Sequence, residues 1–372
     1  MNKGNILIVG AGLAGATISR LLADSGYRVK IIEKHNQVGG HCHDYKNDLG
    51  ITVHTYGPHI FHTVDKEVWD FVNKYSEFVY YQHKVLSYVD GQLIPFPINR
   101  DTLCTVFGVN ISTLEVAGFL KTLINNSTFH DPPENFRDAV VSQVGEELYE
   151  MFFKNYTIKQ WERSPEELSP ELAKRIPVRN NRDSRYFSDP YQGIPKSGYT
   201  KMVQNILEHP NISVDLNTEF LKNDLPSEYK LIVYTGELDQ FFDYSEGKLE
   251  YRSLKLVLKN FDQEYYQSVA TVNYPNDYGW TRITEYKHLL SEVSKNTTVC
   301  FEYSSKEGEP YYIVMDEKNL RIRNSYIKLV KELEDTNRYL FVGRLAEYKY
   351  YNMDQVIKQA INKTIAWLSK GN

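Results

Sequence analysis

Three cysteines in 372 residues, Cys42, Cys104 and Cys300, stand far apart and form no C-x-x-C pair. They support neither a disulfide framework nor a zinc site, and they fit a reducing cytoplasm. No apolar run approaches the ~20 residues that span a bilayer. The run Ile6–Val9 is cut by Gly10 and is too short for a signal-peptide core. Excess positive charge is missing too: the net charge of −5 argues against a nucleic-acid surface. The chain has no G-x-S-x-G elbow, no P-loop and no Cys/His dyad. No internal repeat or low-complexity tract is visible. These absences lead to the expectation of a cytoplasmic protein with no membrane insertion and no nucleic-acid partner.

What remains is an ordinary globular composition, 41% hydrophobic and 24% charged. At ~150 residues per domain the length allows two or three folding units. The unusual figure is 29 tyrosines. Tyrosine offers a flat stacking face with one polar handle, which suits a nucleobase or sugar, although core packing accounts for many of them.

Asn5-Ile6-Leu7-Ile8-Val9 reads as a parallel strand buried on both faces. Ala14, Ile18, Leu21 and Leu22 then recur at helical spacing up to Gly26, and Val29–Ile32 is a second strand. Val68–Tyr80 reads as helical, and Lys84–Leu93 as strands around the Asp90-Gly91 turn. Residues 100–170 are mainly helical, with one amphipathic stretch over Phe136–Phe153. Glu162–Pro177 carries three prolines and many charges and reads as a loop, with the position of a lid. Tyr199–Glu208 is expected to be a helix, followed by short strands at Ile212–Leu216 and Leu231–Tyr234. Further strands are expected at Leu254–Leu258, Ala270–Tyr274, Thr281–Glu285 and Val299–Tyr303. Strand Leu340–Val342 and helix Met353–Leu368 close the chain. A βαβ unit whose last strand and helix arrive at the far end implies a dinucleotide domain interrupted by insertions.

Gly10-Ala11-Gly12-Leu13-Ala14-Gly15 matches G-x-G-x-x-G between a strand and a helix. Gly10 permits the tight turn, Gly12 lets backbone approach a pyrophosphate, and Gly15 allows close helix–strand packing. Glu33 ends the second strand, where a carboxylate accepts from an adenosine ribose hydroxyl. Gly39-Gly40, Tyr234-Thr235-Gly236 and Gly343-Arg344 follow in order. Together they resemble the glutathione-reductase-like FAD group and favour FAD over NAD. No second complete fingerprint for NAD(P)H occurs. Six of the ten histidines fall between His35 and His62. His41-x-His43 and His59-x-x-His62 have ligand-like spacings, but no cysteine or carboxylate cluster accompanies them, so no metal is expected.

Longer strings resemble one family, the bacterial UDP-galactopyranose mutases, over essentially the whole chain. They are Tyr56-Gly57-Pro58-His59-Ile60-Phe61-His62-Thr63, Tyr156-Thr157-Ile158-Lys159-Gln160-Trp161 and Lys174-Arg175-Ile176-Pro177-Val178-Arg179. Tyr191-Gln192-Gly193-Ile194-Pro195, Thr281-Arg282-Ile283-Thr284-Glu285, Pro310-Tyr311-Tyr312 and Phe341-Val342-Gly343-Arg344-Leu345 continue the match. The resemblance implies an α/β fold: a discontinuous Rossmann-like FAD-binding domain with an inserted helical domain and an antiparallel β-sheet domain. The FAD domain would take residues 1–80, 193–245 and 319–372, the sheet domain 81–98, 173–192 and 246–318, and the helical domain 99–172.

The implied activity is isomerisation of UDP-galactopyranose to UDP-galactofuranose, supplying furanose for cell-surface polysaccharide. N5 of reduced FAD attacks the anomeric carbon as UDP leaves, the ring opens through an iminium and recloses through O4, and no net electrons are transferred. An external reductant such as NAD(P)H, without a dedicated site, and a homodimer through the helical domain are implied as well. The resemblance assigns Arg175, Arg282 and His59 to catalysis, the arginines as diphosphate clamps and His59 as a hydrogen-bond donor to the anionic flavin. Substrate contacts fall to Phe152, Tyr156, Thr157, Trp161, Arg175, Tyr186, Asn273, Arg282, Tyr312, Tyr350 and Asn352. Cofactor contacts fall to Gly10, Gly12, Leu13, Ala14, Gly15, Glu33, Lys34, Gly39, Gly40, His41, His59, Ile60, Val214, Gly236, Gly343, Arg344, Tyr350, Asn352 and Met353.

The sequence departs from the family pattern at Glu162, His41, His83, Tyr286, Asn352 and Tyr278-Gly279-Trp280. These departures leave UDP-N-acetylgalactosamine, a pentose or 6-deoxy sugar and dTDP-fucose open as alternatives. An amine-oxidase-like flavin oxidoreductase and a non-catalytic FAD-binding protein are the rival readings.

Overall fold

The computed structural model describes residues 3–175, 177–222 and 228–371, the side chains of 174 and 175 apart. Asn5–Val9 forms β1, Leu13–Asp24 forms α1 and Arg28–Ile32 forms β2. β1 lies inside a five-stranded parallel sheet, between β2 and strand Tyr229–Tyr234. Strands Ile212–Asp215 and Tyr339–Phe341 pair at its two edges. Four of the five β1 residues are buried, as continuous apolar strands in a helix-covered parallel sheet must be. The closing helix Met353–Ser369 lies along α1, and Trp367 meets Tyr27 edge-on at 5.5 Å. The Rossmann-like unit is therefore discontinuous, assembled from both ends and the middle of the chain.

A second sheet has seven strands in the order Tyr312–Ile313, Tyr251–Phe261, Thr297–Ser305, Arg282–Glu285, Thr271–Asn273, Val85–Val89 and Gln92–Phe96. It is antiparallel except where Thr271–Asn273 runs parallel to Val85–Val89. Asp90 and Gly91 both take positive φ, 49° and 78°, which is the two-residue turn a right-twisted hairpin needs.

The helical part packs one face against this sheet. Its expected single amphipathic stretch is broken at Gly145, whose φ of 85° no helix accommodates, and a Cβ there would lie 2.8 Å from the Leu123 side chain. Phe136–Val144 and Glu146–Tyr149 are thus separate, and a π-helical turn, Glu150–Lys154, leads into Asn155–Trp161. Such turns re-aim side chains and recur at functional sites. The stretch after Trp161 is more ordered than a loop: it makes two 3-10 turns, Pro165–Glu167 and Pro170–Arg175, and buries Leu168, Leu172 and Ala173. Val68–Tyr80 corrects to helix Lys66–Asn73 followed by strand Phe78–Val79. The longest helix, Glu317–Asp335, carries no expectation from sequence. It is strongly polar and fully buries only Asn319, Tyr326 and Val330, so its apolar stripe is thin.

Glu162 ends the Trp161 helix with φ at 48°, a left-handed position that favours glycine. Its carboxylate holds the buried Arg252 at 2.6 Å and Lys306 at 2.8 Å. Glu162→Gly relaxes the backbone but strips Arg252 of its carboxylate, leaving it the Ser304 hydroxyl at 2.8 Å. The charge term dominates, so the variant is expected to lose about 1–2 kcal/mol in denaturant unfolding; equal or higher stability would show that backbone strain dominates.

Candidate functional site

A cavity of about 770 Å³ opens where the carboxyl ends of β1 and β2 meet the start of α1. Its volume suits a dinucleotide. Gly12 caps α1 without any side-chain cap, so the first amides of the helix face the cavity as an anion site. Gly12 pairs with Gly39 by backbone alone, and the Gly12 Cβ position would lie 3.7 Å from the Gly40 Cα. Bare backbone thus forms the wall where a pyrophosphate comes closest.

The side chains around this wall come from distant parts of the chain. Glu33 is buried, and its two oxygens accept from the Ala11 amide at 2.8 Å and the His35 amide at 3.0 Å. It therefore fixes the glycine turn as well as facing the cavity. Lys34 pairs with Glu309 at 2.8 Å. Arg344 donates to the carbonyls of Tyr311 at 3.0 Å and Tyr351 at 2.8 Å. Among the described residues no carboxylate lies within ion-pair distance of Arg344, so its charge faces the cavity uncompensated.

Of the residues assigned to the cofactor, Gly10, Gly12, Leu13, Ala14, Glu33, Lys34, Gly39, Gly40, His41, His59, Gly236, Gly343, Arg344 and Met353 line the cavity. Gly15 supports it from behind, as a Cβ there would sit 2.0 Å from the Gly10 carbonyl oxygen. Ile60 and Val214 pack into the hydrophobic core instead. Asn352 caps the closing helix, its amide donating to Gln355 Oε1 at 3.0 Å. Sequence reasoning missed Tyr56, Phe220, Lys222, Phe241 and Glu309, which also line the cavity. Only Tyr56 stood in a motif; the others are brought in by long-range packing.

His59 corrects the role expected of it. Its Nδ1 lies 2.8 Å from the Gly57 carbonyl oxygen, which can only accept, so Nδ1 carries the proton. Burial, with the neighbouring His54, pushes its pKa down to about 3. The neutral ring therefore presents Nε2 as an acceptor, not a donor.

Beside the cavity lies a second group of polar and aromatic side chains. In the seven-stranded sheet Arg282 stands directly opposite Asn273 on one neighbour and Glu302 on the other. Its Nε meets Glu302 Oε1 at 2.7 Å, and Glu302 is buried. Burial works against the Arg282 charge, but Glu302 and the hydroxyls of Tyr156 and Tyr312 hold its pKa well above the usual value. Tyr312 stacks on Tyr350 with centroids 6.4 Å apart and planes 4° from parallel, and Trp161 approaches Tyr312 edge-on at 6.2 Å. The Arg344 guanidinium lies 5.8 Å from the Tyr312 ring and 5.0 Å from the Tyr350 ring. Arg344 thus belongs to the cavity and to the tyrosine pair at once.

Phe152 packs on Phe96 at 6.5 Å, Tyr186 sits between Phe96 and His83, and Thr157 is buried in the helix below. Arg175 ends a 3-10 turn, and its side chain lies outside the described residues. Among the described residues no group of three or more His, Cys, Asp or Glu could hold a metal. No helix among them is long and apolar enough to cross a membrane.

A family model described as UDP-galactopyranose mutase matches residues 151–350, and one described as an NAD(P)-binding Rossmann-like domain matches residues 8–75. The chain is 40% identical to a probable UDP-galactopyranose mutase of Klebsiella pneumoniae, covering 99% of this chain and 96% of that protein. It is 39% identical to a dTDP-fucopyranose mutase of Escherichia coli, covering 97% of both. A crystal structure of reduced UDP-galactopyranose mutase superimposes with a TM-score of 0.78 at 16% identity, over 99% of this chain and 96% of that one.

Proposed function

Because the chain belongs to the UDP-galactopyranose mutase family, and is on that ground a nucleotide-sugar mutase, we propose that it interconverts UDP-galactopyranose and UDP-galactofuranose with FAD in the large cavity. The residues fit such a cofactor. A Cβ-free wall meets a pyrophosphate, and the uncapped helix start faces its charge. When bound and reduced, the flavin supplies the nucleophile and takes no net electrons.

The protein's own residues hold the substrate against that cofactor. Arg282, kept charged by Glu302, grips the diphosphate and keeps the departed UDP near enough to return. Tyr312 and Tyr350 extend the grip with hydroxyls, while Arg344 balances charge at the boundary between cofactor and sugar. Tyr156 and Trp161 cover the nucleotide and exclude water, which strengthens every charge interaction beneath them. Arg175 is assigned to the same clamp from the sequence. His59 accepts a hydrogen bond through Nε2, which suits a sugar hydroxyl or a flavin N–H.

The observation that carries the proposal is the continuity through Arg344, which lines the cofactor cavity and lies over both tyrosines beside Arg282. A second substrate, dTDP-fucopyranose, is favoured by the near-equal likeness to the Escherichia coli enzyme. Reduced protein offered UDP-galactose, UDP-N-acetylgalactosamine and dTDP-fucose in parallel, with products separated by chromatography, tests the choice. UDP-galactofuranose as the dominant product supports the first assignment. A furanose from the dTDP sugar alone replaces it, and none from any donor ends the mutase proposal.

Trp161→Ala is expected to weaken UDP binding about tenfold or more in calorimetry while leaving the bound flavin unchanged. Unaltered affinity would remove Trp161 from the site.

A further inference from the structure

Met151, Asn155 and Lys159 recur every four residues along the run from the π-helical turn into the Trp161 helix, so they share one face. That face meets the turn between strands Thr271–Asn273 and Arg282–Glu285. Asn276 Nδ2 donates to the Met151 carbonyl at 3.1 Å, and its Oδ1 accepts from Asn155 Nδ2 at 2.9 Å. One helical turn further on, Lys159 Nζ reaches the carbonyls of Tyr274 at 2.5 Å, Tyr278 at 2.8 Å, Asn276 at 3.2 Å and Trp280 at 3.3 Å. An ammonium has three donors, so four carbonyl oxygens share them. Among the described residues no carboxylate lies within ion-pair distance of Nζ. The converging carbonyl dipoles repel one another, and the one charge between them holds the turn in shape.

The consequence reaches the site through two short paths. The Tyr274 amide donates to the Thr281 carbonyl at 2.8 Å, closing the turn immediately before Arg282. Phe152 and Tyr156 follow Met151 and Asn155 by one residue, roughly 100° round the helix, and so flank the face that meets the turn, with Tyr156 beside Arg282. On the assignment of Arg282, Tyr156 and Trp161 to the nucleotide, we infer that Lys159 is a positioning residue: by gathering the 274–280 turn onto the aromatic helix, it sets the gap between Arg282 and Tyr156 in which the nucleoside diphosphate is held.

The ammonium is available for titration. Burial lowers the Lys159 pKa to about 8, with Asp277 opposing the shift, so the charge is present below that pH and lost above it. The groups facing Lys159 are Asp277, Tyr274 and Tyr278 from the turn, with Tyr88 packed behind the two tyrosines. Burial raises the Tyr274 phenol to about 12, and Tyr278 is raised mainly by Tyr88. Lys159 is therefore the group expected to titrate at this junction between about pH 7 and about pH 9.

The test is UDP binding by calorimetry to the FAD-loaded protein at both pH values, for the native chain, Lys159→Met and Lys159→Arg. The native protein is expected to lose about tenfold in affinity from the lower to the higher pH. Lys159→Met is expected to be weak at both. Lys159→Arg, whose charge does not titrate, should bind within about threefold of native at the lower pH and keep that affinity at the higher one. Flavin content should be the same in all three. Native-like, pH-dependent binding by Lys159→Met, or by Lys159→Arg should Lys159→Met fail to fold, overturns the inference. Failure of the native protein to bind UDP at all contradicts the nucleotide-sugar proposal itself and removes the ground for this one.

Discussion

Arg282→Ala is expected to lower turnover by about a thousandfold while the flavin stays bound. Arg282 is not part of the cavity lining, so its removal leaves the cofactor contacts in place. What disappears is the charge beside Tyr156 and Tyr312, in a setting of low dielectric where one charge-bearing donor is worth about 10²–10³ in rate. The variant has a second consequence, because Glu302 is buried and loses its 2.7 Å partner. An orphaned buried carboxylate costs about 3–5 kcal/mol, so part of any loss could come from a weakened sheet. Arg282→Lys separates the two effects. It keeps a positive charge near Glu302 but not the planar fork that grips two phosphate oxygens. A folded Arg282→Lys protein with native flavin content and turnover down at least tenfold locates the loss in substrate binding. Native activity in either variant would remove Arg282 from the site.

Gly15→Ala should cost the protein its cofactor. The new methyl would stand 2.0 Å from the Gly10 carbonyl oxygen and 3.2 Å from the Ile8 side chain. The obstacle is backbone, so no rotamer change relieves it. Either α1 moves off the sheet or the glycine turn opens, and each displaces the amides that face the pyrophosphate. The measurement is flavin released per chain after denaturation, with loss expected at every protein concentration tried. Gly91→Ala provides the contrast. Gly91 also has positive φ, 78°, but nothing lies within 4 Å of its Cβ position. That substitution should cost about 1 kcal/mol of stability and leave the flavin bound. Full flavin occupancy in Gly15→Ala would mean the turn tolerates a shift its packing gives no room for.

The parts legible in the sequence are those set by local chemistry. β1, the glycine turn, α1 and β2 follow from a continuous apolar run, three glycines and a helical period within thirty-odd residues. The closing strand and helix were placed by the same signals. Elements set by tertiary contact were not legible. Glu317–Asp335 needs only a thin apolar stripe because it covers one side of the Rossmann-like unit, so its polar sequence hides it. Gly145 breaks a helix that the apolar period alone would carry through. In the site, Gly10, Gly12, Gly39, Gly40, Gly236 and Gly343 of the glycine fingerprints line the cavity, Gly15 supports it from behind, and Val214 and Ile60 sit in the core. Glu309 and Phe220 gave no local sign, since they reach the cavity only through the pairing of distant segments. His59 was found by motif, but its tautomer depends on the Gly57 carbonyl 2.8 Å away, which no motif records.

On the function proposed here, this nucleotide-sugar mutase isomerises its substrate on a reduced flavin without spending electrons. Anaerobic protein reduced with a measured quantity of dithionite, then given excess UDP-galactose and no electron acceptor, tests it most directly. The expected result is many furanose molecules for each electron pair supplied. Product capped at the quantity of reductant, or sugar conversion that proceeds only as oxygen is consumed, would contradict it and favour a flavin oxidoreductase.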